Sequence, residues 1–214
     1  MQAVLWDMDG LLVDTEPVWT IAEEELAAEL GGTWSDELKA RIVGTRLDVA
    51  IPTILTHYAR SLDQTAWASD WLLRRMVALF AAPPAVLPGV HELLGDLRAE
   101  GVPVALVSSS YRVLVDAVLT HGFAFDVTLA GDEVVHGKPD PEPYLTAARL
   151  LGVDPTRCVV LEDSGAGVRS GLAAGCAVVA VPSVAGVKVT ASARTLVRSS
   201  LSGLTTSALD QLVH

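Results

Sequence analysis

The sequence predicts an α/β fold, a doubly wound parallel sheet interrupted after its first strand by an all-helical insertion. Three observations carry this. A short apolar run from Ala3 to Trp6 ends in Asp7, Asp9 and Gly10, two carboxylates spaced i, i+2 followed by a glycine. Between Glu16 and Phe80 the apolar residues recur with helical spacing, and no strand-like alternation appears. Beyond the Pro-rich stretch 81–89, helical and strand patterns alternate towards the end of the chain. Strands alternating with helices imply a parallel sheet covered on both faces. The first strand must join that sheet, because alone it has nothing against which to bury its surface.

The elements follow in order. A strand is expected over 3–7 and a helix over 17–30, ended by Gly31 and Gly32. Ser35 is placed to cap a short helix running to Ile42. Helical patterns cover 47–60 and 63–80, with Pro52 near the start of the first, where proline is best tolerated. After the linker come a helix from Val90, a strand over 102–108, a helix from Tyr111 and a strand over 127–130. Then follow a helix from Pro141, a strand over 158–161, a helix from Ala166, strands over 177–181 and 195–198, and a terminal helix from Ser207. The stretch 183–192 has poor periodicity and reads as loop. Residues 1–15 and 84–214 therefore form the α/β core and residues 16–83 a helical cap. The chain crosses between them near 14–17 and 82–88, and no internal repeat is found.

Composition narrows the setting. The 214 residues suffice for a substantial core. A net charge of −11 argues against broad nucleic-acid or anionic-membrane binding. Half the residues are apolar, yet no uninterrupted apolar run reaches membrane-spanning length, and the N-terminus has no basic n-region of a signal peptide. Cys158 and Cys176 lie in apolar runs without CxxC spacing, which predicts buried free thiols and a reduced, cytoplasmic location.

Residues two apart on an extended segment point the same way, so Asp7 and Asp9 converge on one pocket while Gly10 frees the backbone to turn. The carboxyl end of a strand is where an open α/β sheet places its chemistry. Neighbouring carboxylates repel unless a cation or proton lies between them, and this pattern suits Mg²⁺. By itself, Asp-Gly after a strand is an ordinary turn signal. Glu162 and Asp163 follow another apolar strand and should emerge at the same edge; alone they would read as a helix-capping cluster.

The string Asp7-Met8-Asp9-Gly10 through Asp14-Thr15-Glu16-Pro17 fits the pattern DxDGxxxDT/SE. It resembles the first motif of the haloacid dehalogenase-like (HAD) hydrolases, in their β-phosphoglucomutase-like and sugar-phosphatase branch. Three later stretches fit in the same order: Val104 to Ser110, Gly137-Lys138-Pro139-Asp140 onwards, and Val159 to Val168 with Glu162 and Asp163 inside it. The resemblance implies a Rossmann-like core, with Asp7 as nucleophile forming an aspartyl-phosphate and Asp9 as general acid and base. It implies Ser108 as a donor to the phosphoryl group and Lys138 as a fixed positive charge. It also implies Mg²⁺ bound by Asp7, Asp9 through its main-chain carbonyl and Asp163, with Glu162 either a further ligand or a group supporting them. Ser109, Arg46 in the cap loop and Arg112 after the serine motif are candidate substrate contacts, arginine being suited to bidentate recognition. An exposed helix-end arginine is the plainer account of both arginines, a solvated loop lysine that of Lys138, and helix capping that of Ser109. The five tryptophans are read as packing residues.

The expected function is a Mg²⁺-dependent phosphatase acting on a small phosphorylated metabolite, a sugar or polyol phosphate, as a monomer without nucleic-acid or membrane partners. A phosphosugar mutase is the nearest alternative, although Val43 precedes Gly44 and Thr45 follows, where the mutase loop usually carries lysine beside its glycine. Dinucleotide redox chemistry fits poorly, since the third glycine of 165–171 is one place late and Glu162 and Asp163 would repel a pyrophosphate. A P-loop fails on the Gly131 spacing and on Pro139 in place of Ser/Thr. A non-catalytic module on the same scaffold is the remaining alternative.

Overall fold

The computed structural model describes residues 1–183 and 190–214. Most of the loop expected over 183–192 thus lies outside the described residues. Six strands form one parallel sheet: β1 (Ala3–Trp6), β4 (Val104–Val107), β5 (Val127–Leu129), β6 (Cys158–Glu162), β7 (Ala177–Ala180) and β8 (Thr195–Val197), in spatial order β5-β4-β1-β6-β7-β8. The register sets Val4 beside both Val104 and Val159.

Alternation along each strand divides its side chains between two apolar layers. Val4, Trp6, Leu106, Leu161 and Val179 face one layer, whereas Ala3, Leu5, Val107, Val160 and Val178 face the other. The first layer packs α5 (Val90–Ala99) and α6 (Arg112–Leu119), together with the helices inserted after β1. The second packs α7 (Glu142–Leu151) and α8 (Gly165–Ala173). Both faces are covered, which is why these strands read as unbroken apolar runs. Strand order reverses around β1: the chain builds outward through β4 and β5, then returns to lay β6, β7 and β8 on the other side. A crevice at the carboxyl ends of β1, β4 and β6 follows from that reversal.

The insertion consists of α1 (Glu16–Glu29), α2 (Asp36–Ile42), α3 (Leu47–His57) and α4 (Thr65–Leu79). Ser35 caps α2, its hydroxyl accepting the Leu38 N–H at 3.2 Å. Pro52 is in the second turn of α3 rather than at its start, so the helix forms without the hydrogen bond that position would donate. Both passages of the chain into and out of the insertion belong to a small antiparallel ribbon, β2 (Val13–Asp14) against β3 (Ala85–Val86), with Val13 opposite Val86. Residues 85–86, which the sequence presents only as linker, are strand because Val13 and Asp14, far away in the chain, supply the ladder.

Ser35→Ala removes the acceptor for the Leu38 N–H and is expected to cost about 1 kcal/mol, seen as a melting point lower by roughly 2–4 °C.

Candidate active site

Asp7 follows β1, Ser108 follows β4, Glu162 ends β6 and Asp163 comes next. Adjacency of these three strands carries all four side chains to one edge of the sheet. Lys138 reaches the same edge from the loop between β5 and α7, with a cis peptide to Pro139. Its ammonium has three donors, and three acceptors meet them: Asp7 Oδ1 at 2.5 Å, Glu162 Oε1 at 2.6 Å and the Val107 carbonyl at 2.9 Å. The ring of Tyr144 lies 5.1 Å from the same nitrogen. Only 3% of the Lys138 side chain is exposed, which excludes the solvated-loop reading. Burial alone would lower its pKa, but Asp7 and Glu162 outweigh burial and hold it above the ordinary 10.5.

Asp9 is held by four donors. Thr15 Oγ1 at 2.7 Å and Trp19 Nε1 at 3.4 Å reach its Oδ1; Ser110 Oγ at 2.9 Å and Ser108 Oγ at 3.1 Å reach its Oδ2. Ser108 in turn accepts the Ser110 N–H at 2.9 Å. Of the three consecutive serines, Ser108 and Ser110 orient the acid and Ser109 borders the cavity. Trp19 departs from the packing role expected of the tryptophans. Its one signal in the sequence is spacing, four residues beyond Thr15 in the first turn of α1.

One oxygen from each of Asp7, Glu162 and Asp163 falls within a single 4.8 Å group. Glu162, fully buried, is saturated by Lys138, by Tyr144 Oη at 2.8 Å, and by the Ser164 N–H and hydroxyl at 3.1 and 2.9 Å. Ser164, not Asp163, caps α8 by accepting the Gly167 N–H, which leaves Asp163 to the site. Ser183 Oγ donates to Asp163 Oδ2 at 2.5 Å. Two glycines make room for these acids. A Cβ at Gly10, whose φ is +81°, would lie 2.3 Å from Asp163 Oδ2, and one at Gly167 would lie 1.7 Å from Glu162 Oε1.

The cluster fits Mg²⁺. Three carboxylates face one ammonium, an excess of two negative charges in a buried, all-oxygen setting, which is the charge and donor type a hard divalent ion neutralises. Without such an ion, burial and then the neighbouring Glu162 push Asp7 well above its ordinary 3.8 and Asp163 up to about 7. The Asp9 carboxylate lies outside the three-acid group, engaged by its own four donors.

These residues border a cavity of about 1070 Å³ whose opposite wall is the helical insertion, including Glu16, Trp19, Glu23, Lys39 and Arg46. Arg46 borders it while bridging to the core: Nη1 donates to the Val134 and Val135 carbonyls at 3.3 Å and Nη2 pairs with Asp48 at 3.2 Å. Arg112 is placed otherwise than expected. Its guanidinium forks onto Glu133 at 3.0 and 2.5 Å and also meets Asp116 and Thr128, which ties α6 to the turn after β5 rather than to a ligand. A planar fork beside a carboxylate takes this bidentate arrangement. Glu23 and Lys39 were not candidates in the sequence, because acids and lysines on an amphipathic helix ordinarily face solvent.

The chain belongs to the haloacid dehalogenase-like hydrolases, whose family profile matches residues 1–175. It is 33% identical over 185 residues to hexitol phosphatase B of Escherichia coli, covering 84% of this chain and 83% of that protein. It is 36% identical over 188 residues to the bifunctional riboflavin kinase/FMN phosphatase of Arabidopsis thaliana; the match takes in 85% of this chain but only about half, 48%, of the relative. Among solved structures it is similar to CbbY from Rhodobacter sphaeroides in complex with phosphate, with a TM-score of 0.89, 30% identity, and coverage of 98% of this chain and 99% of the other.

Gly10→Ala is expected to displace Asp163 and lower the affinity of the acid cluster for added Mg²⁺, measured by calorimetric titration beside the wild type. Asp7, Asp163 and Glu23, the last pushed by burial from 4.5 to about 8, all have folded pKa values above their ordinary ones. Their protonated forms therefore favour the folded state fully below about pH 4, and that stability is lost as pH rises towards 8. Metal-free protein should melt progressively lower between pH 5 and 8, each titrating acid contributing at most about 1.4 kcal/mol per pH unit, and Glu23→Gln should flatten the slope.

Proposed function

We propose that this protein is a Mg²⁺-dependent phosphatase that hydrolyses a small phosphorylated metabolite, a sugar or polyol phosphate, through an aspartyl-phosphate on Asp7. One observation carries the reading: Asp7, Asp9, Lys138 and Asp163, from three separate stretches of chain, line a single cavity. Asp7 attacks phosphorus and the bond to the leaving oxygen breaks, Asp9 passing its proton to that oxygen. Asp9, again a base, then takes a proton from water; the water attacks phosphorus, releases phosphate and restores the Asp7 carboxylate. Thr15, Trp19, Ser108 and Ser110 hold Asp9 in one orientation through both steps. Lys138 offsets charge on Asp7 and the transferring group.

Asp7 and Asp163, with the main-chain carbonyl of Asp9, would hold Mg²⁺, and Glu162 anchors Lys138 beside them. When bound, the ion neutralises charge on the phosphoryl oxygens. Residues 16–83 act as the cap that selects the substrate, Ser109 and Arg46 lying at its junction with the core. Buried thiols at Cys158 and Cys176 suit a reducing cytoplasm, and among the described residues no helix is long and apolar enough to cross a membrane.

Phosphate release from p-nitrophenyl phosphate and from a panel of phosphorylated metabolites, with and without EDTA, tests the proposal. Turnover should require the metal, and Asp7→Asn should lower it by at least about a thousandfold with an unaltered circular dichroism spectrum. Retained activity in Asp7→Asn would rule out the covalent route, and isomerisation of a glucose phosphate without phosphate release would replace hydrolysis with mutase chemistry.

A further inference from the structure

The glycine before Lys138 makes room for an arginine of the helical insertion. A Cβ at Gly137 would lie 2.3 Å from Arg46 Cδ, 3.2 Å from its Cγ and 3.4 Å from its Nη1, so all three nearest atoms belong to one side chain. Backbone conformation does not demand glycine there, because Gly137 is not among the glycines of positive φ. Its missing side chain is a slot for the Arg46 stem, which crosses from the insertion onto the residue next to Lys138.

The loop beneath that stem has little else to hold it. Val135 is 78% exposed and His136 is exposed as well, so no apolar anchor lies between Val134 and Lys138. The Val135 and His136 N–H groups donate to the two oxygens of Glu142, both at 2.8 Å, and the Gly137 carbonyl accepts the Asp140 N–H at 3.0 Å. Glu142 opens α7 and Asp140 lies just before it, so these bonds are local and shape the loop without fixing it to anything distant. Arg46 supplies the distant contact. Its Nη1 donates to the Val134 and Val135 carbonyls, both at 3.3 Å, and its Nη2 pairs with Asp48 in α3 at 3.2 Å. A planar fork that serves consecutive carbonyls sets direction as well as distance. Arg46 Nε has no partner among the described residues and takes no part in this contact.

Placement of the loop matters to Lys138 because one of its three acceptors changes during the proposed reaction. Asp7, Glu162 and the Val107 carbonyl fix the ammonium at the start. Once an Asp7 oxygen is bonded to phosphorus, the negative charge facing Lys138 moves onto the phosphoryl group. A flexible four-carbon stem can follow that charge only within the reach its Cα allows, and the 134–137 loop decides where that Cα lies.

We propose that Arg46 is a positioning residue for Lys138: seated over Gly137 and bonded to the Val134 and Val135 carbonyls, it fixes the Lys138 loop only while the insertion lies against the core, so that docking of the cap and placement of the ammonium are one event. The inference rests on the phosphatase reading above and deepens it by giving Arg46 a role other than substrate contact.

The test is a cycle of wild type, Gly137→Ala, Arg46→Ala and the double variant, with kcat and KM measured separately on p-nitrophenyl phosphate with Mg²⁺. Gly137→Ala removes no polar group, yet it should displace Arg46 and lower kcat about tenfold or more. KM should stay within about twofold and the melting point within about 3 °C of the wild type. Arg46→Ala should lower kcat to a similar extent. In the double variant the added methyl no longer meets the Arg46 stem, so its kcat should equal that of Arg46→Ala. Losses that multiply in full in the double variant would overturn the assignment, because the methyl would then act on Lys138 directly. An unchanged kcat in either single variant, or a change confined to KM as a substrate contact would give, would overturn it too. Should Gly137→Ala fail to fold, the kcat and KM of Arg46→Ala decide alone. Absence of wild-type turnover on this probe and on the metabolite panel would remove the phosphatase reading, and the assignment with it.

Discussion

A single buried ammonium holds the site together. Lys138 joins the carboxyl ends of β1, β4 and β6 by bonding Asp7, the Val107 carbonyl and Glu162. Taking one charge out of water is expensive, and the expense is offset only when every donor is met and opposite charge lies close. Both conditions hold here. They oblige the three strands to end in step, and they make Glu162 an anchor whose remaining oxygen is tied to Ser164 at the head of α8.

That anchoring divides the acids into two kinds. Glu162 is fully engaged, so it fixes position. Asp7 and Asp163 have weaker commitments, stand in excess of the available positive charge, and have pKa values displaced upward by burial. Acids held in this state take up a proton or a cation, and an all-oxygen cluster without histidine or cysteine has the donor type of a hard divalent ion. Asp9 differs again. Four neutral donors orient it, and the three-acid group does not include its carboxylate.

The helical insertion is held in a different way. Its helices are held by ordinary means: apolar faces shared with the first layer of the core, the Glu25–Arg75 ion pair between α1 and α4, and a hydroxyl cap at Ser35. Among the described residues Glu23 Oε2 is one of the buried side-chain atoms without a hydrogen-bond partner, together with Trp6 Nε1, Trp34 Nε1 and Arg46 Nε.

Much of this was legible in the chain itself. Apolar runs punctuated by helical patterns determined the doubly wound sheet, because strands buried on both faces must be apolar throughout. The acids at the ends of those runs pointed to the edge where the acid cluster lies, because a strand's terminus has a fixed place in such a fold. Ser35 was readable as a cap because its bond is local, three residues long. Long-range pairing was not readable. Strand β3 exists only because Val13 lies opposite Val86, Arg112 turned to Glu133 because the fold set a carboxylate beside it, and Trp19 meets Asp9 only once the chain between them folds the start of α1 back beside it. Glu23 shows the boundary most clearly. Periodicity can assign a residue to a helix, but only the packed structure decides whether its carboxyl meets water, a partner or an open cavity, since burial depends on what other segments bring to that face.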